Sequence, residues 1–330
     1  MRRREFIRWL GGGTAAWPLA ARAQQRERLR RVGVLIHLAA DDPEGQSRLA
    51  AFLQGLQEVG WAVGRNVAVD VRWAAGNREL MGRFANELVA LQPDVLFVTS
   101  TPGTAAMLQA TRTIPVVFVS VADPIGSGFV ASLPRPGGNV TGFTPIVGSL
   151  GGRWTELLKE IAPRITRVGL LYNPPSAPFI ENYLKPFKAA AEALGMEAVV
   201  APVDDMPGLE SAFATQAHEP NSGLVIIPDA FTDVHLMEIV SLAVRSRIPA
   251  VNWTRSFAES GGLISYGPYL VDEHRRAAVY VDRILKGDQP SQLPVQAPLK
   301  YQMVINLKTA KLLGLTVPQT LLVAADELIE

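Results

Sequence analysis

Gly126-Ser127-Gly128-Phe129-Val130-Ala131 reads G-x-G-x-x-A, the short form of a dinucleotide-binding fingerprint, and it follows the strand-like run PVVFVS (115–120). Such a fingerprint cradles a pyrophosphate only where a strand ends at the first glycine and a helix opens at the last, its N-terminus facing the phosphates. Neither condition holds here. Five residues separate the strand from Gly126, and Pro134 and Pro136 follow almost at once, where proline cannot continue a helix interior. The acid that should sit about 20 residues on for a ribose hydroxyl is missing, since the next one after Asp123 is Glu156. The stretch reads as a loop built for something other than a nucleotide.

Other reactive patterns fail on spacing. His37, His218, His235 and His274 show no H-x-x-x-H pair, and the chain has no cysteine, so neither a compact zinc motif nor a thiolate nucleophile is available. There is no G-x-S-x-G elbow and no G-x-x-x-x-G-K-[ST] loop. Asp204-Asp205 and Asp272-Glu273 fit helix starts or turns better than an acid/base pair. No catalytic residue, metal or cofactor is expected.

What remains is a set of residues defined by position, and the elements that place them alternate along the chain. RVGVLIH (31–37) reads as a buried strand. Asp42-Pro43 then starts a helix whose Leu49, Phe52, Leu53, Leu56 and Val59 share one face before the stop at Gly60. NVAVDVRW (66–73), a helix capped by Asn77, DVLFVT (94–99) and PVVFVS continue the alternation. After residue 150 the pattern restarts: RVGLLYN (167–173) repeats RVGVLIH at Arg, Val, Gly and the second Leu, and a helix over 177–194, kinked at Pro186, stops at Gly195. MEAVVAP, GLVIIPD (223–229), IPAVN (248–252) and GGLISYG (261–267) read as strands, and the helix over 272–286 stops at Gly287. Alternation with short connections implies parallel sheets covered by helices on both faces. The expected fold class is α/β, with two Rossmann-like doubly wound lobes joined by a hinge, residues 28–145 plus about 268–298 forming one lobe and 146–267 plus about 299–330 the other.

Ligands bind such sheets outside the carboxyl ends of the strands. Those ends are His37, Thr99-Ser100-Thr101 and Asp123 in the first lobe, and Tyr172-Asn173, Asp229-Ala230-Phe231, Trp253 and Tyr266 in the second. Thr99 to Thr101 open a helix, whose N–H groups suit a ligand carboxylate. Asp123 and Asp229 could hold an ammonium, and the aromatic residues a hydrophobic side chain. Each of these could instead be a cap or a turn residue, as Asp123-Pro124 is a good turn starter.

Charge bounds the setting. The chain of 330 residues is 48% apolar with a formal charge of +1, but residues 1–23 hold five arginines against one glutamate, a net of +4 that leaves −3 for the rest. A slightly acidic body without a basic stripe argues against nucleic acid. The basic start, a short and weakly apolar stretch from Trp9 to Ala21 and the Ala21-Arg22-Ala23 site before Gln24 read as a cleavable signal peptide over 1–23. Arg3-Arg4-Glu5-Phe6-Ile7-Arg8 resembles the twin-arginine motif. An exported, periplasmic protein is expected.

The stretches RRREFI…WPLAARAQQ, VFVSVADPIGSGFVASLPRPGGNVTGF, GGLISYGP, AAVYVDRILKG and VINLKTAKLLGLTVPQTLLVAADELIE resemble the ABC-transporter substrate-binding protein family that includes tryptophan- and phenylalanine-binding members. That resemblance implies a type I periplasmic binding fold, a monomer that captures an amino acid or related small molecule in an interlobe cleft, and an ABC permease with its ATPase subunits as partner. It places Asp123 at the ligand. Two stretches depart from the aromatic-amino-acid binders: PSAPF follows Asn173-Pro174 where they continue with an acid and a polar pair, and PDAF stands around Asp229 where they carry hydroxyl or amide residues. An exported ligand sensor feeding a receptor, or an exported enzyme, are the alternative readings.

Overall fold

The computed structural model describes residues 29–145 and 149–330. The signal peptide expected over 1–23, with its expected cleavage after Ala23, lies outside the described residues. In the first lobe, β1 (Arg30–Ile36), β2 (Val67–Trp73), β3 (Val95–Thr99), β4 (Val116–Val119) and β5 (Val140–Gly142) form a parallel sheet in the order β2-β1-β3-β4-β5. Its helices begin where the sequence supplies caps. Asp42 Oδ1 accepts from the Gly45 N–H at 2.7 Å to start α1 (Pro43–Glu58), and Asn77 Oδ1 accepts from Leu80 N–H at 3.0 Å to start α2 (Arg78–Ala90). Ser100 caps α3 (Thr101–Ala110).

The second lobe repeats the plan. β6 (Arg167–Tyr172), β7 (Glu197–Pro202), β8 (Ser222–Ile226), β9 (Ala250–Asn252), β10 (Ile264–Pro268), β11 (Tyr301–Asn306) and β12 (Glu327–Ile329) run in the order β12-β11-β10-β9-β8-β6-β7. Only the β10–β11 pair is antiparallel. Both lobes thus begin with the 2-1-3 strand order of doubly wound sheets. The repeated glycine has a shared cause: a Cβ on Gly33 would stand 2.7 Å from Leu96 Cδ2, and one on Gly169 would stand 2.8 Å from Leu224 Cδ2. Each first strand leaves room for a leucine of the strand beside it.

α4 (Leu150–Ile161), α5 (Glu181–Ala193), α6 (Met206–His218), α7 (Ala230–Val234), α8 (Leu236–Arg245) and α9 (Arg255–Glu259) belong to the second lobe, with α11 (Leu307–Leu312) and α12 (Gln319–Ala324) after β11. α10 (Leu270–Leu285) instead returns to the first lobe, where Ala277, Ala278, Val281 and Ile284 pack with Phe52 and Leu56 of α1. The close approach needs Gly55, whose Cβ would collide with the Arg275 carbonyl. The return strand segment then pairs with the outgoing one, Phe143 opposite Gln296, so the crossings are tied together between the sheets. The helix expected over 177–194 starts only at Glu181 and runs on through Pro186. The five-residue α7 has no counterpart in the sequence reading.

Candidate functional site

In the first lobe the strand ends form one wall of an interlobe cleft. His37 is buried at the end of β1, its backbone N–H donating to Thr99 Oγ1 at 3.0 Å and its Nδ1 2.7 Å from the same oxygen. Ser100 and Ser120 close β3 and β4 with φ of 71° and 57°, a left-handed backbone that non-glycine residues rarely adopt and that tends to mark functional sites. Ser100 Oγ caps α3 by accepting from Gly103 N–H at 3.2 Å, while Ser120 Oγ is buried without a partner. Asp123 Oδ1 accepts from Gly126 N–H at 2.8 Å, and its other oxygen accepts from the Asn182 amide of the second lobe at 2.9 Å. A Cβ on Gly126 would collide with that carboxylate. The glycine of the false nucleotide fingerprint therefore holds an acidic turn at the mouth of the cleft.

The opposite wall is built around Asp229, which receives four hydrogen bonds from its own lobe. The Asn173 N–H donates to Oδ2 at 2.9 Å, and the Ser176 hydroxyl, Phe231 N–H and Thr232 N–H donate to Oδ1 at 3.0, 2.9 and 2.8 Å. With Thr232 Oγ1 accepting from the Asp229 N–H, this is a capping box at the start of α7. Burial pushes the Asp229 carboxyl up to about 6, although its donors pull it down. One turn on, Asp233 accepts from Trp253 Nε1 at 3.0 Å and lies 3.3 Å from Nε2 of His37 in the other lobe.

Between the walls lies a pocket of about 290 Å³ lined by Arg78, Thr101, Asp123, Phe129, Pro175 and Phe179 from both lobes. Deeper, Ser100, Ser120, Ser176, Asp229, Asp233 and Trp253 meet around a narrower space. A larger hollow of about 540 Å³ lies away from the cleft, between the ends of α4, α6 and α8 in the second lobe. It gathers none of the interlobe groups. From Phe179 a row of rings leads toward the hinge: Phe179 meets Tyr183 edge-on at 6.0 Å, Tyr183 stacks on Trp154 at 5.7 Å, and Tyr266 stacks on Tyr301 at 5.7 Å. The hydroxyls of Tyr183 and Tyr301 are buried without partners, as are both carboxyl oxygens of Glu273 on α10. Burial raises both phenols, with Asp123 adding to the effect on Tyr183 and Glu273 to that on Tyr301. The cleft thus offers the Phe129 and Phe179 rings, the Asp123 carboxylate and the unpartnered Ser120 hydroxyl, which suits a small molecule with an aromatic body and a polar end.

A profile of the family described as ABC transporter substrate binding protein matches residues 33–329. The chain belongs to that family. This substrate-binding protein is 29% identical to a conserved domain protein from Vibrio cholerae O1 biovar El Tor whose crystal structure superposes with a TM-score of 0.84, covering 91% of this chain and 100% of that one. An ABC domain from Streptococcus pneumoniae in complex with L-Trp is 26% identical, with a TM-score of 0.83 over 91% of this chain and 99% of that one. A tyrosine-binding protein of Clostridioides difficile (strain R20291) is 25% identical over 265 residues, 80% of this chain and 75% of the relative. The fold is the type I periplasmic binding fold.

Of the residues picked from strand ends, the substrate-binding protein brings Ser100, Thr101, Asp123, Asp229 and Trp253 to the lining of the cleft, with His37 and Thr99 behind them. Five take other parts than expected. Asp229 serves as the cap of α7, its Oδ1 accepting three hydrogen bonds and its Oδ2 one, from within its own lobe. The Asn173 amide donates to the carbonyls of Val203 and Asp204. Phe231 turns away from the cleft onto His235, 4.5 Å between ring centroids, and the outer core of the second lobe. Tyr172 packs into the lobe's inner core. Tyr266 reaches the hinge as part of the ring row. Sequence reasoning missed Ser120, Phe179, Tyr183, Asp233, Glu273 and Tyr301; only Asp233 had a signal, the Asp229-x-x-Thr232 capping pattern that sets a helix there.

Proposed function

We propose that this protein is the exported solute receptor of an ABC importer, closing its lobes over an aromatic amino acid or a similar compound and handing it to a membrane permease with ATPase subunits. The observation that carries the reading is the interlobe pocket whose Phe179 wall is backed by Tyr183 and Trp154, with unpartnered polar groups at Ser120, Tyr183, Tyr301 and Glu273. A folded chain satisfies such groups, so a ligand that does so gains both selectivity and closure. The bound L-Trp of the pneumococcal relative and the name of the clostridial one point the same way. The reading takes 28–145 with about 268–298 as one rigid body, 146–267 with about 299–330 as the other, and a periplasmic monomer cleaved near Ala23. Among the described residues no helix is long and apolar enough to cross a membrane.

The reading takes binding without bond chemistry, in keeping with the substrate-binding family to which the chain belongs, and closure by hinge motion is its expected output. A thermal-shift screen of amino acids and aromatic acids tests this. A ligand at 100 times its Kd should add about 2.7 kcal/mol of stability, and small-angle scattering should then show a smaller radius of gyration. A bound ligand with no compaction would sink the closing-receptor reading.

A further inference from the structure

Beside the crossing from the second lobe to the first, where β10 gives way to α10, stands a carboxyl that the chain itself does not use. Glu273 lies in the first turn of α10, 2% exposed, and neither Oε1 nor Oε2 has a hydrogen-bond partner. Two cations are near, and neither satisfies it. Arg276 stands at the i,i+3 spacing that favours pairing, yet its guanidinium lies over the Phe143 ring, 5.2 Å from the centroid, with Nη1 itself buried and unpartnered. Arg48 of α1 is held by Glu44 at 2.8 Å. The unpartnered Tyr301 hydroxyl at the start of β11 is raised by burial and then by the Glu273 carboxylate, and the unpartnered Tyr183 hydroxyl by burial and then by Tyr301 and Asp123.

A buried carboxyl with both oxygens free is costly to keep. An ammonium brings three N–H donors, enough for both oxygens and one tyrosine hydroxyl. We propose that Glu273 is the residue by which this protein selects amine-bearing ligands, its carboxylate receiving the ammonium beside the Tyr301 hydroxyl. The assignment rests on the solute-receptor reading above and moves the ammonium site from Asp229 to the hinge. The unpartnered Arg276 Nη1 on the same helix is placed to meet a ligand carboxylate, so the pair fits a zwitterion.

Protonation gives the proposal a signature. Burial pushes the empty site's Glu273 up to about 8, against the pull of Arg276 and Arg48 and with a push from Asp272. Tyr301 facing it from β11 is raised, and the adjacent His274, pushed down to about 3 by burial and then by Arg48, stays neutral. An ammonium needs the ionised carboxylate, so binding at pH 7 should release roughly 0.9 proton, and affinity should rise up to about tenfold per pH unit below pH 8.

The test is calorimetry on the mature chain with L-tryptophan, L-tyrosine and L-phenylalanine, each beside its des-amino acid, in two buffers of different ionisation enthalpy at pH 6, 7 and 8. Glu273→Gln reproduces the shape of the protonated acid, and a melt at pH 7 checks that it folds. The proposal expects the wild type to prefer an amine over its des-amino counterpart by at least about tenfold, with proton release. The variant should lose about 10- to 100-fold for the amine and bind the des-amino acid within about threefold of the wild type. An unchanged amine affinity in Glu273→Gln, or binding without proton release, overturns it and leaves a carboxyl satisfied by water. Wild type that takes only des-amino acids overturns it while the solute-receptor reading stands. Wild type that binds no member of either series brings down the aromatic amino-acid reading, and the Glu273 assignment with it.

Discussion

Replacing Asp229 with asparagine separates a frame residue from a ligand residue. In the wild type the carboxylate accepts four hydrogen bonds, three from backbone N–H groups and one from the Ser176 hydroxyl. Asparagine keeps the shape and is a good N-cap, so its carbonyl oxygen can stay with Ser176, Phe231 and Thr232. Its NH₂ must then face the Asn173 N–H, donor against donor, in a place where the residue is 5% exposed. Losing one hydrogen bond to a charged group and stranding a buried donor costs about 2–3 kcal/mol. For a cooperative unit the size of the second lobe, that is a fall in Tm of roughly 5–10 °C. Alanine, which strands all four donors, should cost about 3–5 kcal/mol.

Affinity for any ligand found should change by less than about threefold in the asparagine variant, because four hydrogen bonds from its own lobe already hold that charge. Differential scanning calorimetry and titration calorimetry on the same preparation read both quantities. A variant as stable as the wild type that loses 10- to 100-fold in affinity would show that the capping argument has the role of Asp229 wrong.

Asp233→Ala removes the oxygen that faces His37 across the cleft at 3.3 Å; because that contact exists only between closed lobes, ligand affinity should fall about tenfold, and an unchanged Kd would show that the contact adds nothing to closure. Glu273 should make ligand-free stability fall with pH: its folded value of about 8 lies above the ordinary 4.5, so its contribution is full below 4.5 and is lost as pH rises through 8, at up to 1.36 kcal/mol per unit. Melts of wild type and Glu273→Gln should therefore diverge by about 4 kcal/mol in the variant's favour from pH 5 to 8, and parallel curves would place the carboxyl in water. Arg3→Lys with Arg4→Lys should abolish export by the twin-arginine route, read by fractionation and by mass spectrometry for a mature N-terminus at Gln24; normal export would leave the general secretory route.

The scaffold was legible because its signals are local. Gly60, Gly195 and Gly287 end helices with φ of 98°, 66° and 112°, conformations that side chains other than glycine resist. Asp42 and Asn77 cap the helices they precede, and the repeated Arg-Val-Gly run marks the first strand of each lobe. The cleft lining was legible only where strand ends define it, at Ser100, Thr101, Asp123, Asp229 and Trp253. Tyr183 lies on an apolar helix face and Tyr301 near the start of a strand, where large rings read as core. Glu273 in a first helical turn already has a sufficient local reason, the helix dipole. Its burial comes from α1, from Phe143 and from β11, all far away in sequence, and no local pattern carries that information.

The lobes meet mainly through single polar contacts: Asp233 with His37, Asn182 with Asp123, Ser256 with Glu44, and the Arg78 guanidinium on the Pro175 carbonyl. The exposed ones, Asn182 with Asp123 and Arg78 with Pro175, are worth about 0–1 kcal/mol each, and the two more buried ones about 0.5–1.5 kcal/mol each. The apolar clusters, by contrast, stay almost wholly within one lobe or the other, with Ala122 and Val234 the partly buried residues that reach across. Hydrophobic burial is what holds domains together strongly, so the closed arrangement has little of its own to hold it shut. A ligand that stacks against Phe179 and the tyrosine row while engaging Glu273 supplies both missing terms at once. It adds apolar contact on the second lobe and a charge partner on the first. Closure then depends on a molecule that has both an aromatic body and an ammonium, and one lacking either should bind without fully shutting the cleft.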